Sequence, residues 1–148
     1  MVSQSVEYAL RAMSHLALLG SIATTSQVIA DATHVPRGYL SKIMRNLVRA
    51  NLVKSYRGRN GGFVLARNPS TISVLDILNA VDPIRRNDSH PSDKPQHIAN
   101  TPLDQCLDDA LTYILNHFAT TSLESLLRVS DRNTAPTDNP GYPPTLIT

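Results

Sequence analysis

Eight basic side chains, Arg37, Lys42, Arg45, Arg49, Lys54, Arg57, Arg59 and Arg67, fall between residues 32 and 75 with no acid among them. Cations gathered this way bind polyanions. Their commonest chemistry is hydrogen bonding to phosphate oxygens, with base edges the rarer target. Arg57 and Arg59 flank Gly58 in Tyr56-Arg57-Gly58-Arg59-Asn60-Gly61-Gly62-Phe63, a glycine-rich turn between short apolar runs. The pattern predicts a β-hairpin whose cationic tip, Arg57, Gly58, Arg59 and Asn60, suits a DNA minor groove narrowed by A·T-rich sequence. Just upstream, residues 38–50 read as a basic helix. Leu40, Met44, Leu47 and Val48 make its apolar stripe, and Ser41, Lys42, Arg45 and Arg49 its opposite face. Ser41, Lys42 and Arg45 can there reach base edges and phosphates, and Arg37, at the helix start, a phosphate. The competing reading is ordinary solvated charge, which is disfavoured because neutral surfaces intersperse acids with bases.

The elements that would position these groups read as a helix-turn-helix. Val6, Ala9, Leu10, Met13, Leu16 and Ala17 recur at helical spacing, so residues 3–19 form an amphipathic helix capped by Ser3 or Ser5 and ended by Gly20. A short helix over residues 26–32 follows, with Thr24 or Thr25 as cap and Val28, Ile29 and Ala32 inward. Pro36 prevents it from running into the basic helix. Helix, short helix, tight turn and basic helix is the helix-turn-helix order. Leu52-Val53 and Phe63-Val64-Leu65 supply the hairpin arms. Ser73 caps a further helix carrying Val74, Leu75, Ile77, Leu78 and Val81. The expected fold is mainly α with a small β-hairpin, and residues 1–82 are expected to form a winged helix-turn-helix domain.

The second half is different. Residues 1–86 hold eleven basic and four acidic side chains, a balance of +7; residues 87–148 hold three and eight, a balance of −5. A polyanion partner fits the first half, and another task the second. Residues 83–100 are rich in Pro, Asp, Ser and His and predict an exposed loop. Thr101-Pro102-Leu103-Asp104 restarts order with a cap, a first-turn proline and an acid at the positive helix end. Leu103, Leu107, Leu111, Ile114 and Phe118 then form a stripe too apolar to face water alone, which predicts a dimerisation helix. A last short helix over residues 122–129 completes a unit at 101–130. The tail at 131–148, with four prolines, predicts disorder.

Several chemistries are disfavoured. A single cysteine, Cys106, excludes an intramolecular disulfide or a multi-cysteine metal site within one chain. Its place between Leu103 and Leu107 reads as a small hydrophobe near the seam rather than a redox sensor. His90 and His97 lie seven apart in the loop, a spacing that matches no compact metal motif. No phosphate loop, nucleophile elbow or carboxylate pair is apparent, and His15 and His34 have no evident partner, so the chain does not read as an enzyme. No apolar run approaches the roughly 18 residues that cross a bilayer. The N-terminus is amphipathic rather than signal-like, and a cytoplasmic protein is expected. Tyr39 either packs under the first helix or touches a DNA backbone.

A family resemblance adds to this reading. It rests on Ser-Val-Glu-Tyr-Ala-Leu-Arg-Ala at 5–12, Gly-Tyr-Leu-Ser-Lys-Ile at 38–43 and Leu-Val-Lys-Ser-Tyr-Arg-Gly-Arg-Asn-Gly-Gly-Phe at 52–63. Val-Leu-Asp-Ile-Leu-Asn-Ala-Val-Asp-Pro-Ile at 74–84 and Thr-Ser-Leu-Glu-Ser-Leu-Leu at 121–127 extend it. Over residues 1–128 the chain resembles the Rrf-two-type transcription regulators, the family of the iron–sulfur cluster regulator and the nitric-oxide-sensing repressor. The resemblance implies a homodimeric winged-helix repressor whose long C-terminal helix crosses to its partner. Many members hold an iron–sulfur cluster on three cysteines in the loop before that helix, often with a nearby His or a first-helix acid. Here His90 and Thr101 fall on the first and last cysteine positions, Asp104 on the following His position and Glu7 on the acid. The thiolates such a cluster requires are missing. In this departure from the family pattern, the chain is expected to be a member without cofactor or metal.

The function expected is sequence-specific regulation of transcription by a homodimer, with the third helix in the major groove and the hairpin in the adjacent minor groove. Two-fold symmetry implies a pseudo-palindromic operator with half-sites about one or two helical turns apart. The rival readings are a winged-helix module binding an acidic protein and a regulator sensing a metal or ligand through His90, His97 and the loop. The sequence does not identify an effector.

Overall fold

Ser3 opens the ordered chain by accepting a hydrogen bond from the Val6 N–H, which caps α1 (Gln4–Leu19). Gly20 closes that helix at φ 62°, donating its N–H to the Leu16 carbonyl. Thr25, rather than Thr24, caps α2 (Ser26–Thr33), and His34 ends it in the left-handed region at φ 57°. Pro36 precedes α3 (Arg37–Arg49), which has no side-chain cap. The antiparallel strands β1 (Val53–Tyr56) and β2 (Gly62–Leu65) follow, paired from Val53↔Leu65 to Tyr56↔Gly62. A 3₁₀ turn at Pro69–Thr71 leads to α4 (Val74–Val81). Then come α5 (Pro102–Thr120) and α6 (Leu123–Asn133). This computed structural model describes residues 3–83 and 101–133.

Reciprocal capping boxes start α4 and α5. Ser73 and Asp76 exchange hydrogen bonds at the head of α4, and Thr101 and Asp104 do the same at the head of α5, where Pro102 takes the first helical position. Each box satisfies backbone donors that a helix start leaves open.

The core lies where α1, α2, α3 and α4 meet. Met13 and Leu16 of α1, Ile29 of α2, Leu40, Met44 and Leu47 of α3 and Ile77 of α4 are fully buried there, each such side chain contributing about 1.5–3 kcal/mol. Leu123 at the start of α6 is equally buried and brings the C-terminal region into the same core. A backbone bridge fastens it: the Leu123 N–H donates to the Ile72 carbonyl at 2.8 Å and the Val74 N–H to the Thr121 carbonyl at 2.9 Å.

Three expectations are corrected. In α2 the inward pair is Ile29 and Ala30; Val28 and Ala32 are exposed, because two turns squeezed between α1 and α3 bury only a narrow stripe. In α3, Ile43 is buried and Val48 only partly so, since the stripe follows the turn facing α1. The final helix runs to Asn133, past residue 129 and into the stretch expected to be tail. Within the single chain Cys106 is exposed, as are its neighbours on the stripe, Leu103 and Leu107. The expected loop from residue 84 to 100 and the tail from 134 lie outside the described residues.

Candidate nucleic-acid interface

Burial of Leu40, Ile43, Met44 and Leu47 fixes the rotation of α3 and turns Ser41, Lys42, Arg45 and Arg49 outward. Ser41, Arg45 and Arg49, at i, i+4 and i+8, share one face. Ser41 donates its hydroxyl proton to the Arg37 carbonyl one turn back at 3.1 Å. The Arg37 guanidinium lies 4.0 Å from Asp31 of α2, with both side chains about two-thirds exposed, so the pair contributes under about 1 kcal/mol and leaves Arg37 available.

The hairpin is held by more than its own ladder. Thr24, buried ahead of α2, donates its N–H to the Phe63 carbonyl at 3.1 Å and accepts the Phe63 N–H at 2.8 Å. This bridge lays a third backbone segment along β2. Gly62, at φ 147°, lies so close that a Cβ there would come within 2.6 Å of the Thr24 backbone. The tip turns at Gly58, φ 109°, whose carbonyl accepts the Gly61 N–H at 3.0 Å. Arg57, Gly58, Arg59 and Asn60 are all exposed on it.

Charge pairing sorts the eight cations. Arg67 is drawn towards the head of α4, 3.9 Å from Asp76 and hydrogen-bonded to the Thr71 carbonyl. Arg37 faces Asp31. Lys42, Arg45 and Arg49 on α3, and Lys54, Arg57 and Arg59 on the hairpin, form no ion pair among the described residues. Arg67 is thus tied to the fold and Arg37 only weakly paired, while six of the eight form no ion pair among the described residues and stand on two adjoining elements.

A cleft of about 350 Å³ runs between those elements. Ser41, Arg45 and Arg49 line it from α3, Ser55 and Phe63 from the hairpin, and Ser26 from α2. Ser26 and Ser55 were not in the expected set, and Arg49 was expected on the polar face of this helix but without a contact of its own. The i, i+4, i+8 spacing from Ser41 could have flagged Arg49; nothing in the sequence ties Ser26 and Ser55 to α3.

The other singled-out residues have simpler surroundings. Tyr39 meets the Tyr8 ring of α1 edge-on, centroids 6.0 Å apart, while staying over half exposed, so it packs at the rim of the first helix. Glu7 pairs with Arg11 one turn along α1. His15 and His34 line a groove between α1, α2 and α6, and the buried His15 Nε2 has no hydrogen-bond partner among the described residues. Along α5, Leu103, Leu107, Leu111 and Ile114 are 66, 55, 37 and 42% exposed, and Phe118 is half-buried. No helix among the described residues is long and apolar enough to cross a membrane.

The family model that matches residues 2–129 is Rrf2, described as an iron-dependent transcriptional regulator. The chain is 41% identical over 83 residues to a protein of Mycobacterium tuberculosis named as an HTH-type transcriptional regulator, a match spanning 55% of this chain and 51% of that one. The chain therefore spans about half the length of that relative. It is 32% identical over 124 residues to an rrf2-like HTH-type regulator of Rhodobacter capsulatus, covering 80% of this chain and 79% of the relative. Among solved structures, IscR of T. potens superposes with a TM-score of 0.74 at 25% identity, covering 91% of each chain.

The residues present do not fit the cluster that the family resemblance implies. One thiolate per chain cannot supply three soft ligands. Thr101, at the last cysteine position, is engaged as the cap of α5, and Glu7 is paired with Arg11. Among the described residues no three His, Cys, Asp or Glu side chains are grouped to hold a metal ion; His90 and His97 lie outside them. By the match across nearly all of its described length, the chain belongs to the Rrf2 family of transcriptional regulators.

Proposed function

We propose that this protein is a homodimeric, sequence-specific DNA-binding repressor that works without an iron–sulfur cluster. The observation that carries the reading is the set of six cations on α3 and the hairpin that form no ion pair among the described residues. On this reading α3 enters the major groove, where Ser41, Lys42 and Arg45 meet base edges and phosphates and Arg37 meets a phosphate. Arg57, Gly58, Arg59 and Asn60 enter the adjoining minor groove. The Thr24 bridge supports this arrangement, because it holds the tip at a set distance from α3. The exposed stripe Leu103, Leu107, Leu111, Ile114 and Phe118 supports dimerisation, since so apolar a face needs a cover.

The test is salt-dependent binding to a duplex selected from random sequence. Replacing Arg57 and Arg59 together by Ala should reduce the salt slope by about one to two units, at about 0.9 per phosphate contact. Unchanged affinity with an intact fold removes the hairpin from the DNA. A wild-type protein that ignores duplex DNA and captures an acidic protein instead replaces the whole reading with the protein-binding one.

A further inference from the structure

We infer that the protein has a site for a small, uncharged aromatic molecule in the pocket where α1, α4, α5 and α6 meet, and that its occupation weakens DNA binding. The second half of the inference rests on the DNA-binding reading; the first stands without it.

The pocket holds about 190 Å³ and is half-enclosed. Val6 of α1 and Val74 of α4 are its most deeply buried lining, and Leu10, Phe118 and Leu126, each partly buried, close around them. His117 and Thr121 complete it. No Asp, Glu, Lys or Arg among the described residues lines it. The Thr121 hydroxyl already donates to the His117 carbonyl at 2.8 Å, so only the His117 imidazole could call for a polar partner. An apolar cavity of about 150 Å³ stays dry and binds benzene; this one has room for a single ring with a small substituent. The Phe118 and His117 rings favour a flat aromatic guest, which gains from edge-to-face and offset contacts. The competing occupant is a side chain of a second copy. Of the apolar stripe on α5, however, only Phe118 lines the pocket, so a copy seated on that stripe meets the pocket at its rim.

The position gives the guest its leverage. Val74 and Thr121 line the pocket and also bind each other, the Val74 N–H donating to the Thr121 carbonyl at 2.9 Å. That bridge joins α4, which packs into the winged-helix core, to the end of α5, where only Leu115 and Phe118 are partly buried. A molecule wedged beside the bridge bears on the tilt of α5. In a homodimer whose copies meet through α5, that tilt sets the distance between the two α3 helices, which has to match the half-site spacing. The guest alters DNA affinity to the extent that it favours one tilt over another.

Benzene is the probe, and pyrimidine, a polar ring of the same size, is the control. In methyl NMR spectra of the full-length protein without DNA, benzene should shift Val6, Leu10, Val74 and Leu126 saturably, and pyrimidine should not. Leu10→Trp and Leu126→Trp fill the pocket from different helices, and each should abolish the shifts while keeping the wild-type circular dichroism. Against a duplex selected in the absence of benzene, saturating benzene should raise the wild-type dissociation constant about fivefold or more, because that duplex is matched to the tilt of the empty protein. Neither Trp variant should respond. No saturable shift in wild type, or equal shifts at Leu103, Leu107 and Leu111, overturns the site. Shifts that appear only in Leu111→Asp monomers give the pocket to the second copy instead. Saturable benzene binding with unchanged duplex affinity overturns the regulatory half. Protein that ignores duplex DNA overturns the parent reading and the regulatory half with it, and the benzene shifts still decide the site.

Discussion

Helices α3 and α5 are opposites in how they are held. The shorter, α3, has no side-chain cap, yet four of its residues are buried and their positions decide which way its cations point. The longer, α5, begins with a complete capping box and a first-turn proline but has no fully buried residue, only Leu115 and Phe118 half-buried. One helix is fixed by tertiary packing, the other by local chemistry. Most helical stability in proteins comes from a packed apolar face rather than from local propensity. The lesson is that the winged-helix half buries its apolar face within one chain, whereas Leu103, Leu107, Leu111 and Ile114 of α5 stay exposed there, the face that the proposed dimer would cover.

The strongest way to break this contrast is Leu111→Asp. If two copies cover each other's stripes, a carboxylate in the seam should weaken dimerisation by roughly 4 kcal/mol, about a thousandfold in dissociation constant. Sedimentation should then give monomers, while the winged-helix half keeps its fold by circular dichroism. Wild-type protein sedimenting as a monomer at micromolar concentration ends the dimer reading.

Gly62→Ala attacks the other side. The new Cβ would meet the Thr24 backbone at 2.6 Å, and the unfavourable φ adds strain, for a loss of about 2 kcal/mol. Since Thr24 and Phe63 join the hairpin to the segment before α2, the tip should lose its set distance from α3. DNA affinity should drop towards that of the Arg57/Arg59 variant, with dimerisation unaffected. A variant with the wild-type salt slope shows that the bridge does not position the wing.

What could be read from the sequence follows the same division between local and tertiary causes. The caps Ser73 and Thr101, the hairpin and the polar face of α3 depend on residues within a few positions of one another, and local patterns carry them. Ile43 replaces Val48 on the buried stripe, and Val28 turns out, because the approach angles of α1 and α2 set which edge of each helix is covered. Asp31 lies just outside the acid-free stretch, so its pairing with Arg37 emerges only when α2 folds back beside α3. Gly62 reads as a turn residue, but its close constraint is Thr24, nearly forty positions earlier in the chain. Ser26 and Ser55 meet Arg49 in a cleft built from three elements, which no spacing rule reaches.

Matched cap deletions sharpen the comparison at a smaller scale. Ser73→Ala and Thr101→Ala each remove a capping hydroxyl and should each cost about 1 kcal/mol. Loss of the Ser73 cap should appear as a lower midpoint of domain unfolding, because α4 is part of the core. Loss of the Thr101 cap should appear mainly in the dimer dissociation constant, raised about fivefold by the same free energy. Equal effects of both variants on dimerisation would show that α5 is no more dependent on a partner than α4.

The smallest expected effect is none at all. Protein purified without oxygen should be colourless and free of stoichiometric iron, and its DNA binding should survive chelators and oxidants. The reason is the donor set: one thiolate per chain, with Thr101 committed to the cap of α5 and Glu7 to Arg11. The challenge to this comes from a dimer, in which two Cys106 thiolates with His90 and Glu7 offer a mixed set of ligands. Cys106 is exposed on α5, so a partner could bring a second thiolate near it if the seam places them together. Cys106→Ser separates the cases: in a cluster-free protein it should leave the spectrum, the iron content and the salt slope as they were. Visible absorption near about 400 nm that vanishes in Cys106→Ser would instead make the α5 seam a metal site and overturn the cluster-free reading.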